Sequence, residues 1–165
     1  MQTERTLVLI KPDAVQRGLI GEIITRFEQR GLHPAGMKLM QVTTAMAELH
    51  YGEHKEKPFF AGLVEFITSS PVVAMVWEGP GAVALVRTMM GATNPQSSPP
   101  GTIRGDLAVS LAMNVIHGSD SPQSAEREVG IFFSANEVLD WESSEAGWVV
   151  VDEKPLGQPA AAAHR

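Results

Sequence analysis

The chain reads as one mixed α and β domain, and three observations predict it. Short apolar runs of strand length, Arg5–Ile10, Met37–Val42 and Val72–Trp77, alternate with segments whose apolar residues recur at helical spacing. Prolines, glycines and hydroxyl caps stand at the boundaries. At 165 residues the chain fits a single domain with its own core. On pattern alone, strands alternating with helices predict a parallel sheet.

Taken in order, Arg5-Thr6-Leu7-Val8-Leu9-Ile10 is the first strand, ended by Lys11-Pro12-Asp13. Lys11 is left at the mouth of that strand, which also suits a solvated strand-end lysine. Leu19, Ile20, Ile23, Ile24 and Phe27 form the apolar face of a helix that Gly31 stops. After the strand Met37–Val42, Thr43 or Thr44 caps a helix running toward Tyr51. Phe59, Phe60, Leu63, Val64 and Ile67 shape the next helix, closed before Pro71. Most of these are core, but a ring at the helix start such as Phe59 can be open enough to stack on a base. Val72–Trp77 is apolar throughout, as in a strand buried on both faces. Ala82–Met90 is a helix with Gly91 as its stop and Arg87 in its last turns, where a cation also suits the helix dipole.

Residues 92–106 read as a long irregular loop with Pro95, Pro99, Pro100, Gly101 and Gly105, and it carries Thr93 and Arg104. A loop of that length, stiffened by prolines, points to function. Asp106–Met113 resumes a helical pattern. Trp141 and Trp148 suggest a docked C-terminal segment, Val149-Val150-Val151 could pair with a sheet edge, and Pro155–Arg165 reads as mobile.

Composition narrows the function classes. A hydrophobic fraction of 44% and a charged fraction of 19% describe an ordinary soluble domain. No run is long enough to span a membrane. The count of Cys is 0, which fits a reducing compartment and leaves no thiolate metal site. A net charge of -6 argues against nucleic acid as the main partner while allowing a local basic pocket. Two motifs mislead. His50-Tyr51-Gly52-Glu53-His54 spells an inverted zinc-protease motif, but Gly52 and Pro58 interrupt its helix. Gly79-Pro80-Gly81-Ala82-Val83-Ala84 matches a dinucleotide fingerprint, but Pro80 removes a donor from the phosphate loop.

The chemistry gathers at Asn114-Val115-Ile116-His117-Gly118-Ser119-Asp120-Ser121. A strand ending there presents the imidazole at an element boundary, where side chains meet ligands. Ser121-Pro122 caps and opens a helix whose Glu126 and Glu128 follow closely. A histidine braced by a carboxylate can serve as nucleophile or general base.

Arg5–Asp13, His50–Phe60, Gly101–Asp106 and Asn114–Ser121, read together, closely resemble the nucleoside diphosphate kinase family. The resemblance covers roughly residues 3–151. It is carried by Lys-Pro-Asp, Pro-Gly-Thr-Ile-Arg-Gly-Asp and Asn-x-x-His-Gly-Ser-Asp-Ser in the right order. It replaces the parallel sheet with a ferredoxin-like α+β fold, a four-stranded antiparallel sheet covered by helices. A helical hairpin is inserted between the second and third strands, and a long Pro/Gly-containing loop follows the third.

The resemblance implies ping-pong transfer of the γ-phosphate of a nucleoside triphosphate to a nucleoside diphosphate, through phosphohistidine at His117 and with broad base tolerance. Glu128 matches the carboxylate that orients the ring. Lys11, Tyr51, Arg87, Thr93 and Arg104 match phosphate-side or transfer residues, and Asn114 with Lys11 the sugar contacts. His54 joins the phosphate side, Ser119 lies beside the histidine, Phe59 stacks on the base, and Leu63 completes the nucleotide-binding set. No protein metal ligands are implied, because Mg2+ arrives with the nucleotide. The implied partners are ATP and other nucleotides and further copies of the chain, as a tetramer or hexamer built from a shared dimer, in the cytoplasm. The implied domain is residues 1–151, with a C-terminal tail over 152–165. Two departures are Leu107, where an aromatic often follows Gly-Asp, and the tail beyond Val151. An interaction protein of this fold that has lost catalysis should lack one of Lys11, Arg104, His117 and Glu128, and all are present. A protein-histidine phosphotransferase would leave the nucleotide-matching residues without a purpose.

Overall fold

The computed structural model describes residues 2–151, so the tail expected to be mobile lies outside the described residues. Strands β1 (Thr3–Ile10), β2 (His33–Met40), β3 (Val72–Pro80) and β4 (Ile116–Gly118) form one antiparallel sheet in the order β2-β3-β1-β4. The parallel sheet expected from alternation is therefore wrong, and the ferredoxin-like α+β arrangement is right. The reason lies in the covering layers. Continuous apolar strands signal burial on both faces, not strand direction. Here β1 sends Val8 and Ile10 to one apolar cluster and Leu7 and Leu9 to the other, while β3 divides Val73, Met75 and Trp77 from Val72, Ala74 and Val76.

Helices α1 (Pro12–Gln16), α2 (Ile20–Arg30), α5 (Ala82–Met90) and α6 (Ile103–Leu107) supply the first cluster with Ala14, Ile23, Phe27, Val86, Met90 and Ile103. Phe27 and Trp77 pack with ring centroids 5.2 Å apart, and both are fully buried. On the other face lie α3 (Thr44–His50), α4 (Phe60–Thr68) and α7 (Pro122–Phe132). The α3–α4 pair is the hairpin inserted between β2 and β3. The cap of α3 is Thr43, whose hydroxyl accepts from the Met46 N–H, and Gly31 ends α2 at φ 102°.

Several local expectations need correction. The second strand begins at His33 rather than Met37, because an irregularity between Pro34 and Gly36 lets the proline enter the ladder. The long loop is partly ordered. Asn94 caps a short 3₁₀ turn at Pro95–Ser97, and Thr102 caps α6. The helix expected over Asp106–Met113 is instead α6, which starts earlier and ends at Leu107, with Ala108 already extended. Trp141 does dock, donating from Nε1 to the Pro34 carbonyl. Trp148 does not; it is 92% exposed, and Val149–Val151 follow a 3₁₀ turn without joining the sheet.

Candidate active site

His117 is the middle residue of β4 and pairs with Leu9 of the central strand. The strand thus runs through the histidine rather than stopping before it. Gly118 makes the approach to α5 possible, since a Cβ there would lie 2.5 Å from Met90 Sδ and 3.2 Å from Val86. That closeness lets Arg87 Nη1 donate to the Gly118 carbonyl at 3.3 Å.

The segment leading into β4 is held from below. Val115 sits at φ 65°, a left-handed conformation costly for a β-branched residue. Its N–H donates to Asp13 Oδ2 at 3.1 Å, and its carbonyl accepts from the Lys11 N–H at 2.9 Å. The turn aims Asn114 at Lys11, whose Nζ donates to Asn114 Oδ1 at 2.8 Å, and Asn114 Nδ2 reaches the Thr93 carbonyl. Lys11 is therefore not a solvated strand-end lysine.

Arg104 is buried. It donates from Nη2 to the Ile116 carbonyl at 2.6 Å, from Nε to that of Asn114 and from Nη1 to that of Ala92. Gly105 after it admits no side chain, because a Cβ would collide with the Pro99 carbonyl oxygen. Arg87 and Arg104 thus grip the carbonyls on either side of His117.

Glu128, one helical turn below Ser124 in α7, brings Oε1 into hydrogen-bond contact with His117 Nε2. Ser119 is fully buried. Its hydroxyl accepts from the Leu7 N–H at 3.3 Å and lies beside Glu128, opposing the rise that burial imposes on that carboxyl's pKa. The His117 side chain is 23% exposed, so one side of the ring faces the cleft. Burial first, then Lys11, Arg104 and Arg87, holds its pKa below the ordinary histidine value, so the ring is neutral near pH 7. Lys11 falls to about 8, chiefly through burial and then Arg104, and Arg104 falls to about 10 through burial and Arg87. Tyr51 ends α3 half-buried, its hydroxyl pushed up to about 12 by burial and Glu128.

A second group lies at the start of α4. Phe59 is 52% exposed and not core. The His54 ring stands 5.4 Å from it, and Lys57 Nζ lies 5.6 Å from its centroid. Leu63 shares that face one turn on and is only half-buried. In the first turn of α5, Glu4 accepts from the Val83 N–H. His54 and Glu53 join no metal-binding trio with His50 among the described residues. A different trio does form, His50, His117 and Glu128, with ligand atoms within 4.8 Å of one another. The neighbouring charges of Lys11, Arg87 and Arg104 oppose a dication at that spot. The sequence missed His50 and Asp13 as members of this site. The i, i+3 spacing of Ala47 and His50, which puts both on one face of α3, was the available signal.

A profile of the nucleoside diphosphate kinase family matches residues 4–138. The chain belongs to the nucleoside diphosphate kinase family. Among curated relatives, the nucleoside diphosphate kinase of Thermosynechococcus vestitus is 60% identical over 146 residues, 88% of this chain and 97% of that one. The one from Archaeoglobus fulgidus is 56% identical over 146 residues, with the same shares. The solved nucleoside diphosphate kinase of Halobacterium salinarum, in complex with CDP, superposes with a TM-score of 0.89 at 52% identity, covering 91% of this chain and all of that one. The family assignment makes the chain a nucleotide-binding kinase, a transferase of phosphoryl groups.

Proposed function

We propose that this kinase moves the γ-phosphate of a nucleoside triphosphate onto a nucleoside diphosphate by a ping-pong route through phosphohistidine at His117. The observation that carries this reading is the contact of His117 Nε2 with Glu128 Oε1 in a ring that keeps part of its surface exposed. A carboxylate on Nε2 keeps the proton there and leaves the lone pair on Nδ1. That lone pair attacks the γ-phosphorus, the bond to the β-phosphate oxygen breaks, and the diphosphate leaves. An acceptor diphosphate oxygen then attacks the phosphohistidine and the ring is restored.

Phosphoryl transfer rests on positioning and on stabilising charge spread over the phosphate oxygens. Lys11, Arg104 and Arg87 set positive charge beside the ring, and after burial they lower its pKa. Thr93 and Tyr51 offer hydroxyls, Lys11 and Asn114 the sugar contacts, and His54 a further phosphate contact. Phe59 offers an exposed π-face, which suits tolerance of any base, and Leu63 lies beside it. The cationic wall fits a polyphosphate whose Mg2+ is carried on its own oxygens and waters rather than in a protein cage. Bound so, Mg2+ neutralises phosphate charge.

In this reading the domain spans residues 1–151 and acts in the cytoplasm, which the absence of cysteine suits. No helix among the described residues is long and apolar enough to cross a membrane. Assembly into a tetramer or hexamer is supported by exposed Met37 and Leu39 on edge strand β2 and by exposed Val109, Leu111 and Met113 after α6.

The test is incubation with γ-labelled ATP and Mg2+ without acceptor, then addition of GDP. Acid-labile, base-stable label should appear on the protein and leave as GTP, and His117→Ala should take up none while still binding nucleotide. Label on the His117→Ala protein would refute the nucleophile.

A further inference from the structure

His50 closes α3 and takes no part in the nucleotide contacts above. It is 6% exposed, and neither ring nitrogen has a hydrogen-bond partner among the described residues. Leaving a buried polar group unsatisfied costs its desolvation, so a merely space-filling position would be better served by an apolar residue. The ring is enclosed by aromatic neighbours. His117 stands nearly perpendicular at 88° with centroids 4.6 Å apart, Tyr51 lies at 4.6 Å and Phe132 at 5.3 Å. Its Nδ1 is 3.9 Å from Glu128 Oε1, the oxygen that also contacts His117 Nε2.

That spacing would read as an ion pair if His50 were charged, but it is not. Burial foremost, then His117, holds its pKa at about 3 against the opposing pull of Glu128, with Arg127 and Lys11 adding to the fall. Glu128 thus has two neutral imidazoles beside it, one of them the nucleophile.

We propose that His50 is a positioning residue for phosphoryl transfer: it backs the His117 ring and offers Glu128 Oε1 a second N–H donor. This rests on the phosphohistidine reading. As Nδ1 of His117 forms its bond to phosphorus, positive charge develops on the ring and is drawn through Nε2–H toward Glu128. The carboxylate must hold its place while that ring moves. At 3.9 Å, His50 Nδ1 lies just beyond hydrogen-bond range of the same oxygen, close enough to take it up as the ring shifts. Its bulk also closes the side of His117 away from the cleft and excludes water from the Nε2 contact.

The other charged groups around the pair come from different elements. Lys11 follows β1, Arg87 is on α5, Arg104 on α6, Asp120 follows β4, and Arg127 and Glu128 are on α7, with the Tyr51 hydroxyl at the end of α3. None of them occupies the position of His50, so without its N–H the charge of Glu128 falls more fully on the His117 ring and raises that ring's proton affinity.

The experiment compares His50→Leu, which keeps bulk without a donor, with His50→Asn, which restores an N–H where Nδ1 sits. Autophosphorylation is followed by rapid quench between pH 5 and pH 9, with nucleotide affinity measured separately. His50→Leu should lower kcat about tenfold, leave nucleotide Kd within about twofold, and move the acid limb of the pH profile upward. His50→Asn should recover most of the rate. If His50→Leu does not fold, His50→Phe replaces it with the same expectations. Parent rates and an unmoved acid limb in the donor-free variant would overturn the inference. So would a loss that Asn does not restore and that only tracks a lower Tm. Failure of the parent enzyme to form acid-labile label would refute the phosphohistidine reading itself, a result distinct from either.

Discussion

The Val115 N–H donates to Asp13 Oδ2 at 3.1 Å, and this bond holds a β-branched residue at φ 65° directly before the strand that carries His117. The strain is stored where the chain must turn Asn114 toward Lys11 and send Ile116 into the sheet. Asp13→Ala removes the acceptor and should cost about 1–3 kcal/mol in urea unfolding. Transfer should fall with it, because the Lys11–Asn114 contact loses its foundation. A variant with parent stability and parent kcat would show that Val115 needs no such hold.

Arg104 spends its donors on the carbonyls of Asn114, Ile116 and Ala92. Lysine carries the charge but not the planar fork. Arg104→Lys should therefore leave buried carbonyls unpaired, destabilise by about 1–3 kcal/mol, and slow transfer by well over tenfold. Kinetics near those of the parent would mean that charge alone is enough at this position.

The pH profile of the free enzyme has two expected limits. The His117 pKa lies below its ordinary value, so kcat/KM should hold through pH 6.5, the ordinary histidine value, and decline only at lower pH. Lys11 titrates at about 8, so kcat/KM should also decline as pH rises through that value and the cation is lost. An acid inflection at 6.5 or above, in kcat/KM measured across pH 5–10, would contradict the first limit.

Stability should fall toward acid for a related reason. The unfolded chain takes up a proton on His50 below pH 6.5, while the folded chain resists until about 3. The contribution is complete above 6.5 and is lost as pH falls, by up to roughly 1.4 kcal/mol per unit. Glu128, with its raised pKa, acts in the opposite sense nearer its own range. Comparing parent and His50→Leu by denaturant unfolding at pH 7.5 and 5.5 isolates the histidine; equal slopes would remove it from the balance.

Phe59 is exposed at the head of α4 beside His54 and Lys57. Phe59→Ala should weaken nucleotide binding by about 1–3 kcal/mol, to a similar degree for adenine, guanine and pyrimidine nucleotides. A penalty confined to one base would contradict the stacking role.

Much of this was legible in residue pattern. The apolar runs located β1 and β3, and the caps at Thr43, Gly31 and Ser121 located helix ends within a residue. Strand direction was not legible, because burial on both faces produces the same run in parallel and antiparallel sheets. The start of α6 was hidden among prolines and glycines, where Thr102 is a cap only once Gly105 packs on Pro99. The resemblance pointed to His117 and Glu128, whereas the link between them is a tertiary contact. His50 was obscured by a sequence motif that pointed to zinc, since only the fold sets it against Glu128.

The strand that bears His117 is three residues long, and its supports reach far along the chain. Lys11 and Asn114 are 103 residues apart, and Leu7 and Ser119 are 112. Closing loops of that length is slow relative to forming helices and the β2–β3 ladder, whose partners lie closer along the chain. The nucleophile is thus placed by the contacts of highest sequence separation, so during refolding enzymatic activity should return after helical and sheet signals have levelled off. Catalysis in this chain doubles as a report that folding has finished.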